Sequence, residues 1–267
     1  LVRIAGLAHG TDVWLNNAQD IILNGTAVLK DVISTRDDIM NYLILKGVPN
    51  IKAFKIMENV RKGKGLSDED VSVMRENNVP DWYIESCQRI KYMFPKAHAV
   101  AYVMMSYRIA YFKVYHPLAF YAVFFTTKVA DFNADLIFKG KKAILKMMEE
   151  IESKGNNATQ KEKDEGTVLE VAYEMLCRGY EFMPVDITES DANRFIIKEE
   201  KLLPPFLALQ GLGENAALAI VTERSKGPFS SVDSLKNRAK LNKTAIEALE
   251  NHGVLRNLPL SDQLSLF

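Results

Sequence analysis

The sequence predicts a mainly α-helical fold with one small β element, and three observations carry that reading. Helix start and stop residues recur at short intervals through the first half of the chain. Strand-like apolar runs are confined to residues 180–203. Beyond Pro204-Pro205 a compact, Gly-punctuated helical stretch gives way to a polar, Pro-containing end. With 267 residues, 48% of them apolar, the chain can bury one sizeable core or two to three smaller ones.

Taken in order, Thr11 caps a helix running to Asn24-Gly25. Ser34 or Thr35, followed by Asp37 and Asp38 in the first turn, opens a second that Gly47 closes. Asn50 caps a third, which runs out at Arg61-Lys62-Gly63-Lys64-Gly65. Ser67 with Asp68, Glu69 and Asp70 starts a fourth, ending at Asn77-Asn78. Asp81 starts a fifth, stopped by Phe94-Pro95. A long helix from about Ala97 to Tyr115 meets Pro117, which suits the first turn of another apolar helix. Residues 133–154 read as a charged helix, and Thr159 to Arg178 as another, ended by Gly179. Tyr180 to Val185 and Arg194 to Ile197 read as short strands, with Glu199-Glu200 a turn into Leu202-Leu203. Pro204-Pro205 reads as a stiff hinge. The predicted organisation is residues 1–130, a helical linker with a small β element over 131–203, a module over 204–256 and a flexible tail over 257–267.

The module has its own logic. Leu209-Gln210-Gly211-Leu212-Gly213-Glu214 has the form of a helix-hairpin-helix turn. Gly211 and Gly213 allow a tight turn whose amides can approach a DNA phosphate, and Leu212 points inward to pin it. Such a loop grips phosphates without reading bases. A second, degenerate copy follows: Ser231 to Arg238, then Ala239 to Lys243, then Thr244 to Asn251. Here Lys240 and Lys243 replace glycines with charge. From Lys201 to Gly253 seven Lys/Arg face five Asp/Glu, so grip by charge alone would be weak and salt-sensitive.

Total charge is balanced, with 34 basic and 34 acidic residues, so it marks no nucleic-acid binder. Its distribution differs. Ser86 to Ala130, forty-five residues, hold no Asp or Glu but six Lys/Arg, which implies a locally positive surface. Cys87 and Cys177 offer neither a disulfide framework nor metal spacing, and the four histidines are scattered. The most apolar region, 97–127, is broken by Arg108, Lys113 and His116-Pro117, so it does not span a membrane. A reduced, cytosolic protein is expected. A start at Leu1-Val2-Arg3 suggests a piece of something longer.

The chain ends Gln263-Leu264-Ser265-Leu266-Phe267, an apolar anchor behind the polar run Asn257, Pro259, Ser261 and Asp262. The string resembles the peptide by which bacterial DNA polymerases and repair proteins dock on the sliding clamp. On that likeness the Gln263 amide bonds at the pocket rim while Leu266 and Phe267 fill the cleft. The alternative is a tail folded back onto its own domain.

Four further runs carry a wider resemblance: His9-Gly10-Thr11-Asp12-Val13-Trp14, Thr35-Arg36-Asp37-Asp38-Ile39-Met40, Arg61-Lys62-Gly63-Lys64-Gly65-Leu66, and Lys91-Tyr92-Met93-Phe94-Pro95-Lys96-Ala97-His98-Ala99. With the terminal peptide, they resemble the C-terminal part of the PolC-type bacterial replicative polymerases, over the whole chain. The resemblance implies a helical fingers domain over 1–130, then a tandem helix-hairpin-helix duplex-binding region. It also implies primer-template DNA, dNTP, the sliding clamp (the beta subunit) and other replisome subunits as partners, and a nucleoid-associated, bacterial setting. The implied reaction is attack of a primer 3′-hydroxyl on the α-phosphate of a dNTP, with Mg2+ held by carboxylates of a palm expected upstream of Leu1. The fragment alone should then be inactive.

By the same likeness the nucleotide contacts are Arg36, Arg61, Lys62, Lys64, Lys96 and His98. Arg61, Lys62 and Lys64 sit in a Gly-broken loop where flexible cations reach phosphates. Lys96 and His98 begin a helix whose free amides favour an anion. Alternatives stand beside these: cations merely answering a helix C-terminal dipole, a satisfied core histidine at His98, and Arg36 paired with Asp37 or Asp38. Tyr102 and Tyr107 are candidates for contact with the nascent base pair, with packing the alternative. A reading of a different class is a non-catalytic adaptor that holds duplex through its hairpins and recruits the clamp.

Overall fold

A computed structural model describes residues 1–262. The chain forms two compact units, Leu1–Ala110 and Tyr111 onward. Among the described residues there are fourteen α-helices and one two-stranded sheet, so the mainly α prediction holds.

The first unit contains α1 (Val2–Ala8), α2 (Gln19–Leu23), α3 (Arg36–Leu45), α4 (Asn50–Arg61), α5 (Asp68–Glu76), α6 (Asp81–Arg89) and the start of α7 (Lys96–Tyr115). Ile39, Leu43, Ile56, Val60, Met74 and Tyr83 are almost fully buried in its core. The acids read as helix openers do that work. The Asp38 carboxylate accepts from Ser34 N–H and Thr35 N–H, both at 3.0 Å, and Ser67 and Asp70 close a reciprocal box on α5.

Two predicted helices are shorter than expected. The stretch from Thr11 is irregular, because Asp12 and Asn16 both take φ 56° and Leu15 is extended. Only Gln19–Leu23 is regular, and α1 precedes it unanticipated. Helix α6 ends at Arg89 rather than at Phe94-Pro95. Past it the backbone is spent on cross-links: Lys91 N–H donates to Thr11 O at 3.1 Å and Met93 N–H to Arg61 O at 3.3 Å. Helix α4 is preceded by Pro49 as its cap, so Asn50 is its first residue instead.

The second unit carries α8 (Pro117–Thr127), α9 (Ala134–Ile137), α10 (Lys141–Lys154), α11 (Gln160–Cys177), β1 (Ile196–Lys198), β2 (Lys201–Leu203), α12 (Glu214–Arg224), α13 (Val232–Arg238) and α14 (Lys243–Asn251). The helix predicted over 133–154 is split at Gly140, whose φ of 90° an L side chain resists. The hairpin pairs Ile196 with Leu203 and Lys198 with Lys201 around Glu199-Glu200. Tyr180 to Val185 adds only a single bridge, Phe182 to Leu202.

One core runs from Tyr121 to Leu255, so the hairpin module shares its interior with residues 121–208. Pro204 and Pro205 are buried in it, and Ser190 Oγ donates to Pro204 O at 2.8 Å, which is not the setting of a free hinge. At its centre Phe132 meets Phe125, Phe182 and Phe195 with ring centroids 5.5, 5.5 and 5.0 Å away. Phe132→Ala is expected to cost about 3–5 kcal/mol in urea unfolding of this unit. A loss below about 1 kcal/mol would mean the cluster is not the cornerstone its burial suggests.

Candidate nucleic-acid interface

Three of the cationic candidates, Arg36, Arg61 and Lys62, meet at a residue the sequence reading passed over. Glu58 lies one turn before the end of α4. Its carboxylate takes Arg61 Nε at 2.5 Å and Arg61 Nη2 at 2.9 Å, a two-pronged bond. Lys62 Nζ lies 3.0 Å from it, and Arg36 Nη1 reaches across from α3 to 3.7 Å. Hydrogen bonds from Arg61 first, then Lys62, hold the Glu58 carboxyl down at about 2. Three cations thus share one fixed negative charge. The spacing Glu58, Arg61, Lys62 is i, i+3, i+4 on one helix, the signal that would have found Glu58.

Arg36 therefore pairs with Glu58, and neither with Asp37 nor with Asp38. Asp37 has another task. Its Oδ2 accepts from the Lys96 N–H at 2.6 Å and caps α7. The expectation of a free amide at Lys96 is corrected: that N–H is taken, and only the exposed Lys96 side chain remains to meet an anion. Backbone bonds draw the same elements together, with Arg36 N–H donating to Phe94 O at 3.2 Å. Gly63 makes the approach possible. It has φ 69°, and a Cβ there would stand 2.3 Å from Lys91 O.

His98 is no core histidine. It is half-buried in a row of rings, stacked on Phe94 at 4.6 Å and tilted against Tyr102 at 4.6 Å, with His9 5.4 Å away. Tyr107 is exposed on α7. Lys64 does not join the Glu58 group. It lines a separate cavity of about 510 Å³ with Lys52, Lys55, Asn59 and Ser67.

In the second unit, Gly211 takes φ 89° and Lys240 takes φ 51°, so the two turns use one left-handed slot, filled by glycine in the first and lysine in the second. Leu212 and Leu241 follow them, 4% and 6% exposed, and pin each turn inward. Gly213 and Asn242 then precede α12 and α14. The Asn242 carboxamide caps α14 by accepting from Ala245 N–H at 2.8 Å, whereas no side chain caps α12. The first turn's amides are thus unclaimed by any cap, and space around Gly213 is open. One departure is plain: only a single 3-10 turn, Phe206–Ala208, stands where a full first helix was implied. Five residues between Pro205 and Gly211, with Phe206 fully buried, leave no room for more. Lys243 is exposed and lies 3.6 Å from Glu247.

The polar run after α14 is not untethered over its first part. Val232 N–H donates to Pro259 O at 2.9 Å and Asp233 N–H to Leu260 O at 3.1 Å, which supplies the orphan donors of α13 with partners. Gln263, Leu264, Ser265, Leu266 and Phe267 lie outside the described residues.

Two acids of the sequence's acidic clusters are engaged by other side chains. Asp70 caps α5 and pairs with Lys52 at 2.9 Å, and Asp135 meets His252 at 3.0 Å. Among the described residues no three His, Cys, Asp or Glu are grouped to hold an ion. Nor is any helix among them long and apolar enough to cross a membrane.

Comparison with known proteins bears on both regions. Residues 1–79 match the bacterial DNA polymerase III alpha subunit finger domain, and residues 179–263 match a helix-hairpin-helix motif. Over all 267 residues the chain is 60% identical to the DNA polymerase III PolC-type of Caldanaerobacter subterraneus, covering 100% of the chain and 19% of that protein. Over its full length the chain thus matches part of PolC-type DNA polymerase III, at 54–60% identity. Full-chain identity is 60% to the PolC-type protein of Clostridium perfringens, of which the chain covers 18%, and 56% to that of Bacillus subtilis, of which it covers 19%. The chain thus spans about a fifth of the length of its PolC-type relatives. The finger-domain match includes Arg36, Glu58, Arg61, Lys62 and Lys64. Lys96 and His98 lie outside both matched stretches.

Proposed function

We propose that this segment serves a PolC-type replicative polymerase in three ways. Arg36, Arg61, Lys62 and Lys96, with His98 beside them, neutralise and position the phosphates of the incoming dNTP, and Lys64 meets template phosphate. The turns at Gly211, Leu212 and Gly213 and at Lys240 and Lys243 hold duplex primer-template DNA. Gln263 to Phe267 dock the sliding clamp and so join the chain to the replisome, on the bacterial nucleoid in the cytoplasm. The four-part layout of fingers, linker, hairpin module and tail belongs to the same reading. The parent performs template-directed nucleotidyl transfer. Its Mg2+ is assigned to carboxylates elsewhere in the parent, and this segment alone does not polymerise.

The observation that carries the proposal is the shared carboxylate. Arg36, Arg61 and Lys62 surround Glu58, so two positive charges are left over on a part-exposed surface. Such a surplus, held rigidly by a two-pronged bond, suits a polyphosphate and costs little reorganisation when it binds. A non-catalytic adaptor gripping duplex through its hairpins has no use for that cluster, which favours the polymerase reading.

The duplex grip is tested by Gly213→Asp. Gly213 has φ −78° and ψ 161°, ordinary for a helix cap, and an added Cβ meets nothing within 4 Å. The carboxylate would cap α12 and raise stability by roughly a few tenths of a kcal/mol while occupying the amides meant for a phosphate. Duplex affinity should fall and its salt dependence flatten, although the fold is firmer. Unchanged affinity would place the DNA elsewhere.

A further inference from the structure

A second surface in the first unit has a different chemistry from the Glu58 cluster and shares no residue with it. A cavity of about 460 Å³ is lined by Trp82, Tyr42 and Tyr83 on its aromatic side and by Thr26, Lys30 and Asn41 on its polar side. That volume falls in the roughly 300–1,000 Å³ range of sites that take one small ligand. The aromatic side is held rigidly. Tyr42 stacks on the fully buried Tyr83 with centroids 4.3 Å apart, and Trp82 packs edge-on to Tyr83 at 5.5 Å. Lys46 Nζ stands over the Tyr42 ring at 5.6 Å, so Tyr42 is already covered and the half-buried Trp82 is the ring available to a guest.

Charge at the rim is uneven. Arg3 and Asp38 cancel one another at 3.6 Å, and Arg3 Nη1 also donates to Val32 O at 2.5 Å. Among the lining residues that leaves Lys30 against Asp31, and Lys46, outside the lining but over the Tyr42 ring, adds one positive charge. No hydrogen bond or ion pair among the described residues engages the side chains of Lys30, Asn41 or Thr26. An amide and a hydroxyl beside a fixed indole, with two ammonium groups outside, provide edge contacts, a stacking face and phosphate attraction together. A purely apolar ligand would waste the first and third of these, and a free inorganic anion the second.

We propose that this cleft takes one unpaired base of a single-stranded nucleic acid, stacked on Trp82, with Lys30 and Lys46 meeting the flanking phosphates. The assignment rests on residues separate from the Glu58 cluster and the hairpins, so either reading can fail without the other.

The chain holds two tryptophans, and Trp14 is 37% exposed, so Trp14→Phe leaves Trp82 as the sole indole reporter. Titrating that variant with a single-stranded oligothymidylate should quench its fluorescence saturably, and adding Lys30→Glu should weaken the affinity about tenfold. In the parent polymerase, single strands carrying 5-iodouracil should crosslink on irradiation to the peptides holding Tyr42 or Trp82, and this second readout needs no variant. Absence of quenching, indifference to Lys30→Glu, or crosslinks confined to other peptides would overturn the assignment. Equal affinity for thymidine monophosphate and the oligomer would also overturn it, because the occupant would then be a free nucleotide rather than a strand.

Discussion

Removing residues 263–267 from the parent polymerase is expected to abolish clamp-dependent synthesis of long products while leaving extension of a short primer on a short template intact. The expectation follows from how a peptide anchor works. Leu266 and Phe267 would contribute nearly all of the apolar burial at the docking site, and a few such residues dominate a small interface. Tethering turns each rebinding of DNA into an intramolecular event, so losing the anchor costs orders of magnitude in processivity without touching the chemical step. The structure sharpens this. Backbone bonds from α13 to Pro259 and Leu260 leave only Ser261 and Asp262 between the anchored run and Gln263. Replacing Leu266 and Phe267 by Ala should reproduce the deletion. Undiminished processivity in either variant would remove the clamp from this end of the chain.

Replacing Arg61 by Ala should raise the dNTP KM of the parent polymerase about 10- to 100-fold, the range of one or two charge-assisted hydrogen bonds, with little change in primer-template affinity. Arg61 is the member of the cluster held by two bonds, so its guanidinium is the most firmly placed of the cations. Arg61→Lys keeps the charge but loses the fork, and should fall between wild type and Ala. Glu58→Gln tests the frame itself: it leaves the cations in place but unfixed, and should raise KM less than Arg61→Ala. The sign of its pH dependence is set by the depressed carboxyl at about 2. The stabilising contribution is complete above the ordinary glutamate range and lost only as pH falls toward 2, so the frame stays charged at neutrality. Parallel losses of dNTP and primer-template affinity would reassign Arg61 to general DNA binding.

Much of the architecture was legible because its signals are local. Ser67 and Asp70 open α5 within four residues of sequence, and Thr159 with Glu162 does the same for α11. The Gly211-Leu212-Gly213 turn is legible in its two glycines and inward leucine; in the second turn Lys240 takes the left-handed slot, but Asn242, not Lys243, stands where Gly213 does. The misreadings were non-local. Phe94-Pro95 looked like the stop of α6, but Thr11 and Arg61 draw the backbone off at Ile90, from 79 and 29 residues away in the chain. Glu58 went unnoticed since an acid inside a helix carries no mark of what crosses over to it.

By itself the sequence determined the helical composition, most helix termini, the paired turns, the acid-free stretch and the likeness to PolC-type polymerases. Each follows from neighbours within a few residues or from an ordered string of them. Only the tertiary structure decided that Arg36 answers Glu58, that Asp37 occupies the amide of Lys96, that Lys64 stands apart, and that Trp82 opens onto a cleft with Lys30 and Asn41. Those outcomes depend on which groups meet across distant segments. A charge or an unpaired amide bonds with whatever partner packing brings within about 3 Å, and no local pattern records that choice.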